Sequence, residues 1–99
     1  MNVSINVIRQ GKHMLVAACD LDLLGKTLMF NQIKFEIRKD FYGGSVVSIE
    51  EALNLMKQGT SANIVGPFIV NQAIKKGMVH PQAVLNISGI PHAQIVKTE

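Results

Sequence analysis

Tryptophan is absent from this 99-residue chain, and only four phenylalanines and one tyrosine supply aromatic rings. A single cysteine excludes an internal disulfide and a cysteine-built zinc site, and it fits a reducing compartment. Charge is scarce as well: 17% of residues are charged against 47% hydrophobic, which excludes a disordered tail. Eight glycines and three prolines are too few for a fibrous repeat. No apolar run approaches the ~20 residues of a membrane helix. The N-terminus lacks a basic segment followed by a long apolar stretch, so no signal peptide is expected. What remains is one domain over residues 1–99, burying roughly 60–70% of its unfolded surface, with the cytoplasm as its expected setting.

Val3, Ile5 and Val7 alternate with Ser4 and Asn6, the period of a half-buried strand. Gln10-Gly11-Lys12 turns the chain, and Met14 to Cys19 reads as its antiparallel partner. Asp20 is expected to cap a helical turn at Leu21–Leu24, closed by Gly25 in a left-handed conformation. Thr27–Phe30 and Ile33–Ile37 read as a hairpin about Asn31-Gln32. Arg38 to Gly44 reads as a loop. Ser48 with Glu51 three residues on is a capping box for a helix ending at Gly59, with Ile49, Ala52, Leu53 and Met56 on its buried face. Ser61–Val65 is a strand or an interrupted helical turn. Pro67 opens a second long helix that stops at Gly77, with Ile69, Val70, Ala73 and Ile74 buried. His80-Pro81 opens a further turn, and Val84–Ile87 and Ala93–Lys97 read as closing strands around the loop Ser88–His92. The order predicts an α+β domain: a small, mostly antiparallel mixed sheet with two main helices packed on one side.

Four stretches occur together in this order: Ala17-Ala18-Cys19-Asp20 leading to Leu24-Gly25-Lys26, Phe41-Tyr42-Gly43-Gly44, Ala62-Asn63-Ile64-Val65-Gly66, and Gly89-Ile90-Pro91-His92-Ala93-Gln94. With this spacing the chain resembles, over essentially its whole length, the archaeal family known as domain of unknown function 424. The resemblance implies a cytoplasmic single-domain protein. It supplies no catalytic residues, because no activity is assigned to that family.

The residues themselves argue against catalysis. Cys19 precedes Asp20 and Asp22, whose field opposes a thiolate, and no general-base motif stands nearby. His13, His80 and His92 are too scattered to form a metal-ligand pair, and no cofactor is expected. His80 reads as a cap, whereas His92 is either a ring bonded to backbone in a tight loop or a binding group. Gly43-Gly44 and Gly66-Pro67 lie near helix starts, where amides attract anions, but neither matches a phosphate motif. Gly43-Gly44 reads more simply as a turn with positive φ.

Three readings follow, the first and third non-enzymatic and the second open to a catalytic pocket. In the first, the chain binds RNA or a ribonucleoprotein through Arg38, Lys39, Tyr42, Phe68, Lys75 and Lys76, a mixture of rings for stacking and cations for phosphate. Its net charge of +3 favours this modestly. Phe68 shares the polar side of its helix with Asn71, Gln72, Lys75 and Lys76, unless its ring folds back onto Phe41-Tyr42. In the second, Tyr42, Gly43, Gly44, Asn63, Gly66 and His92 converge on a small anionic ligand. In the third, an exposed sheet edge joins two copies into a homodimer.

Overall fold

The period-2 signal at the N-terminus extends further than the apolar residues alone indicate. In the computed structural model, which describes residues 1–97, β1 (Asn2–Gln10) and β2 (His13–Asp20) form a long antiparallel hairpin, turning at Gly11 with φ +58°. A 3₁₀ turn at Leu21–Leu23 leads to a separate hairpin, β3 (Thr27–Phe30) and β4 (Ile33–Glu36). Asn31 and Gln32 both take positive φ between these strands, the conformation of a tight two-residue turn.

Then come α1 (Lys39–Tyr42), β5 (Ser45–Ser48), α2 (Ile49–Gln58), β6 (Ser61–Val65) and α3 (Pro67–Lys75). A 3₁₀ turn at Pro81–Ala83, β7 (Leu85–Ile87) and β8 (Ile90–Val96) complete the fold. Six strands form one sheet in the order β5-β1-β2-β6-β8-β7. Only β2 and β6 run parallel.

Both long helices start and stop as their sequences dictate. The Ser48 side chain accepts from the Glu51 amide at 3.1 Å, and Pro67 occupies the first turn of α3. Gly77, at φ +71°, ends α3 with Gly77 N–H donating to Ile74 O and Met78 N–H to Ala73 O. His80 Nδ1 accepts from the Gln82 amide at 3.1 Å, the cap its position before proline predicts.

Four expectations are corrected. The stretch Arg38–Gly44 holds a helical turn, α1, and β5 follows it; four residues without alternation carry no strand signal, and pairing with β1 supplies it. Strand β8 begins at Ile90, so His92 lies in a strand and only Ser88-Gly89 turns the chain. Pro91 is tolerated there because its backbone turns away from β7 to the end of β6, where its carbonyl accepts from Gly66 N–H at 2.9 Å and no ladder bond to β7 is lost. Gly43 and Gly44 do not take positive φ. Glycine is needed at 43 because an added Cβ would sit 2.5 Å from Lys39 O. Finally, Asp20 does not cap the turn that follows it. Its two carboxylate oxygens each accept at 2.9 Å from Phe68 N and Ile69 N, so it caps α3 instead. The carboxyl also fills the anion position at Gly66-Pro67, and burial raises its pKa against the lowering effect of those two bonds.

Helices α2 and α3 cover one sheet face. Val3, Ile5, Val16, Ala18, Ala62, Ile64 and Ala93 pack there against Ala52, Met56, Ile69, Val70 and Ala73. On the other face a thin layer made of the 3₁₀ turn, the β3–β4 hairpin and α1 seals Ala17, Cys19, Leu23, Ile37, Tyr42 and Val65.

Candidate functional site

Side chains alternate across a sheet, so the register fixes what the second face carries. Across β1, β2, β6 and β8 the top row reads Ser4, Cys19, Val65, His92, and the next Asn6, Ala17, Asn63, Gln94. Below them lie Ile8, Leu15, Ser61 and Val96, then Gln10 opposite His13. No Asp, Glu, Lys or Arg occupies this grid. The covering layer seals the top row, whereas Ile8, Gln10, His13, Gln94 and Val96 are exposed. This face is half closed, half open, and uncharged.

At the boundary between the two halves, three side chains meet. Tyr42 Oη donates to Asn63 Oδ1 at 2.6 Å, and His92 Nε2 lies 3.0 Å from the same oxygen. Both contacts are favourable when His92 carries its proton on Nε2, which leaves Nδ1 as an acceptor. Burial lowers the His92 pKa, which keeps the ring neutral, and burial pushes the Tyr42 phenol up to about 12. Phe35 packs edge-on against His92 with centroids 5.5 Å apart, and Phe41 against Tyr42 at 4.8 Å. Among the described residues no buried side-chain nitrogen or oxygen lacks a partner. Asn63 Nδ2 and His92 Nδ1 have no hydrogen-bond partner among the described residues, so neither is fully buried. They offer a donor and an acceptor at the lip of the open sheet. The anchoring is local: Asn6 Nδ2 donates to Phe41 O at 3.0 Å and Ser4 Oγ to Tyr42 O at 2.9 Å, which pins α1 over β1.

Of the six residues read as an anionic pocket, Tyr42, Asn63 and His92 are thus in direct contact. Gly43 follows Tyr42 in the chain; a Cβ added at Gly43 or Gly44 would press on Lys39 O or Ile5 O, and one at Gly66 on the Asp20 carboxyl. The trio bears no charge to attract an anion. The cavities between α2 and α3 and beside β5 do not include it.

The residues read as RNA contacts separate. Tyr42 is 3% exposed, so its ring is not available for stacking. Phe68 is half-buried against the core under the helices. Arg38 is held by Asp40 in a two-pronged ion pair, Nε to Oδ1 at 2.9 Å and Nη2 to Oδ2 at 2.5 Å. Lys39 is exposed on α1, while Lys75 and Lys76 are exposed at the far end of α3, which lies on the opposite sheet face. Cys19 is fully buried, and desolvation with the nearby Asp20 and Asp22 pushes its thiol up to about 12, far from a nucleophile's range. No group of three His, Cys, Asp or Glu side chains among the described residues is placed to hold a metal. No helix there is long and apolar enough to cross a membrane. Asn6, Ser61 and Gln94 were not read as site residues. The one trace of them in the sequence was the polar phase of each strand's alternation.

Fold and site together define a small α+β protein whose mixed sheet is covered by helices on one face and left partly open, with neutral polar side chains, on the other. The chain belongs to the family described as a protein of unknown function (DUF424), whose model matches residues 8–98. An uncharacterized conserved protein from Methanopyrus kandleri, known from a crystal structure, has the same fold: TM-score 0.81 at 21% identity, covering 100% of this chain and 96% of that one. No curated protein matches.

Proposed function

We propose that this protein is a non-enzymatic binding module for single-stranded RNA, and that it uses the open half of the second sheet face rather than the helix surface. The observation carrying this reading is the uncharged grid with a free donor on Asn63 and a free acceptor on His92. Unstacked bases are recognised through such neutral donors and acceptors on their edges. Ser61, Gln94, Gln10 and His13 extend the same chemistry along the sheet, and Ile8, Leu15 and Val96 give apolar ground beneath a base. Phe35 and Phe41, both half-buried, pack edge-to-face with His92 and Tyr42 beside the trio. Lys12 at the β1–β2 turn, Lys34 on β4 and Lys39 on α1 are exposed and serve in this reading as phosphate partners. An open floor suits an extended strand, whereas sites for small molecules are concave and bury most of the ligand.

The test is fluorescence anisotropy with labelled ten-nucleotide RNAs across a salt series, beside a free nucleoside monophosphate. With about three phosphates neutralised, the log–log slope is about −2. Gln94→Glu, which sets an acid on an exposed position of the floor, abolishes binding without changing the unfolding midpoint. If the monophosphate binds as tightly as the oligomer, the small-ligand reading replaces this one. If neither associates at low salt, the proposal is wrong.

A further inference from the structure

A groove runs between the two long helices, on the opposite side of the sheet from Asn63 and His92. Its volume is about 680 Å³, within the range of pockets that hold small molecules. Ile49 and Leu53 from α2, with Met78 just beyond α3, form an apolar floor. Asn54 and Lys57 rise on the α2 side, Gln72 and Lys76 on the α3 side, while Glu50 and Glu51 stand at the start of α2.

The two lysines are not needed by the fold. A basic side chain late in a helix ordinarily serves the last carbonyls. At the end of α2 those carbonyls are already taken: Lys97 Nζ donates to Met56 O at 3.1 Å and also to Lys57 O, and Gly59 N–H donates to Leu55 O. At the end of α3 the amides of Lys76, Gly77 and Met78 satisfy Gln72 O, Ile74 O and Ala73 O. Nor do Lys57 and Lys76 pair with an acid; among the described residues the ion pair present is Arg38–Asp40. Glu50 and Glu51 lie in the first turn of α2, where they complement the positive end of the helix. Two ammonium groups from different helices therefore line the groove without an ion-pair partner among the described residues, while Glu50 and Glu51 line it as well.

We infer that the groove between α2 and α3 binds a small amphiphilic anion, its apolar body on Ile49, Leu53 and Met78 and its carboxylate or phosphate head between Lys57 and Lys76. Asn54 and Gln72, on opposite rims, supply hydrogen bonds to the same head. Glu50 and Glu51 fix the orientation, because the head is repelled from their end of the groove. The groove is open along one side, so affinity is modest.

NMR titration of the ¹⁵N-labelled protein with naphthalene-2-carboxylate, and separately with its neutral carboxamide, tests this. The expected result is amide shifts confined to α2, α3 and Met78, with the carboxylate bound at least 10-fold more tightly. Lys57→Gln with Lys76→Gln removes the carboxylate's advantage and leaves the carboxamide unchanged. Both positions are on the rim, so the doubly substituted protein keeps its unfolding midpoint. Equal binding of the two probes, shifts outside the groove, or no shifts at millimolar probe each overturn the inference. Gln94→Glu leaves this binding intact, so the result is independent of the RNA assay.

Discussion

The two faces of the central sheet are built on the same strands and yet solve different problems. Under the helices, Val16, Ala18, Ile64, Ile69 and Ala73 are fully buried and belong to one apolar cluster. That face is closed largely by close-packed hydrocarbon, with Asp20, Arg9 beside Met14 and Lys97 at the end of α2 as charged groups on it. On the other face Cys19, Tyr42 and His92 are buried or half-buried, and the layer above is tied down by hydrogen bonds donated by Ser4 and Asn6 and by the Tyr42 hydroxyl to Asn63, as well as by apolar area. A thin layer cannot exclude water from the whole sheet. The strands beneath it accordingly carry amides and hydroxyls where the helical side carries valine and isoleucine. Stability is concentrated on one face, and the chemistry able to recognise a ligand edge on the other.

The comparison breaks most readily at its core. Ile64→Ala, under the helices, is expected to cost about 2–5 kcal/mol in urea unfolding, whereas Leu15→Ala, half-buried on the open face, costs no more than about 1 kcal/mol. Equal losses would mean that both faces are packed alike. Asp20→Ala removes the cap of α3 and costs about 1–2 kcal/mol, while Asp20→Asn, which keeps an acceptor, restores most of it. Tyr42→Phe deletes one hydrogen bond to Asn63 and costs about 1 kcal/mol. It also releases Asn63 Oδ1, which moves the His92 ring resonances in NMR.

Dependence on pH is expected to belong to the second face. The folded His92 pKa lies below its ordinary 6.5, so between the two values the unfolded chain holds more protons. Stability therefore rises with pH through that interval and falls as the solution is acidified; His92→Gln flattens this part of the urea-midpoint profile. Cys19 and Tyr42, each pushed up to about 12, act at the alkaline end. Their contribution is complete below the ordinary values of 9.0 and 10.0 and is lost as pH climbs towards 12. The smallest effect falls on Arg38→Ala: the pair with Asp40 is exposed at both ends, and no measurable change in the urea midpoint is expected.

Much of the closed face was legible in the sequence and little of the open one. The Ser48–Glu51 cap, Pro67, Gly77 and the 3.6-residue spacing of Ile49, Ala52, Leu53 and Met56 are local signals, and each corresponds to a local structure. So does the alternation in β1. Strand β5 and the true start of β8 escaped because short strands are defined by what they pair with. Tyr42, Asn63 and His92 were named as one group, yet so were three glycines that serve close approaches elsewhere. Tyr42 was also read as a stacking ring, and only its seat above Cys19 and Val65 shows that it is a buried strut.

By itself the sequence determined the class of fold, the two long helices with their caps, and a chain poor in charge and without reactive cysteine chemistry, because composition, period and capping act within a few residues. Tertiary structure alone decided that Asp20 serves a helix 48 positions away, that Asn63 Oδ1 is shared by a tyrosine and a histidine, and that the neutral side chains of four strands face the same open space. Those outcomes depend on strand order and register, which long-range pairing fixes and no local window encodes.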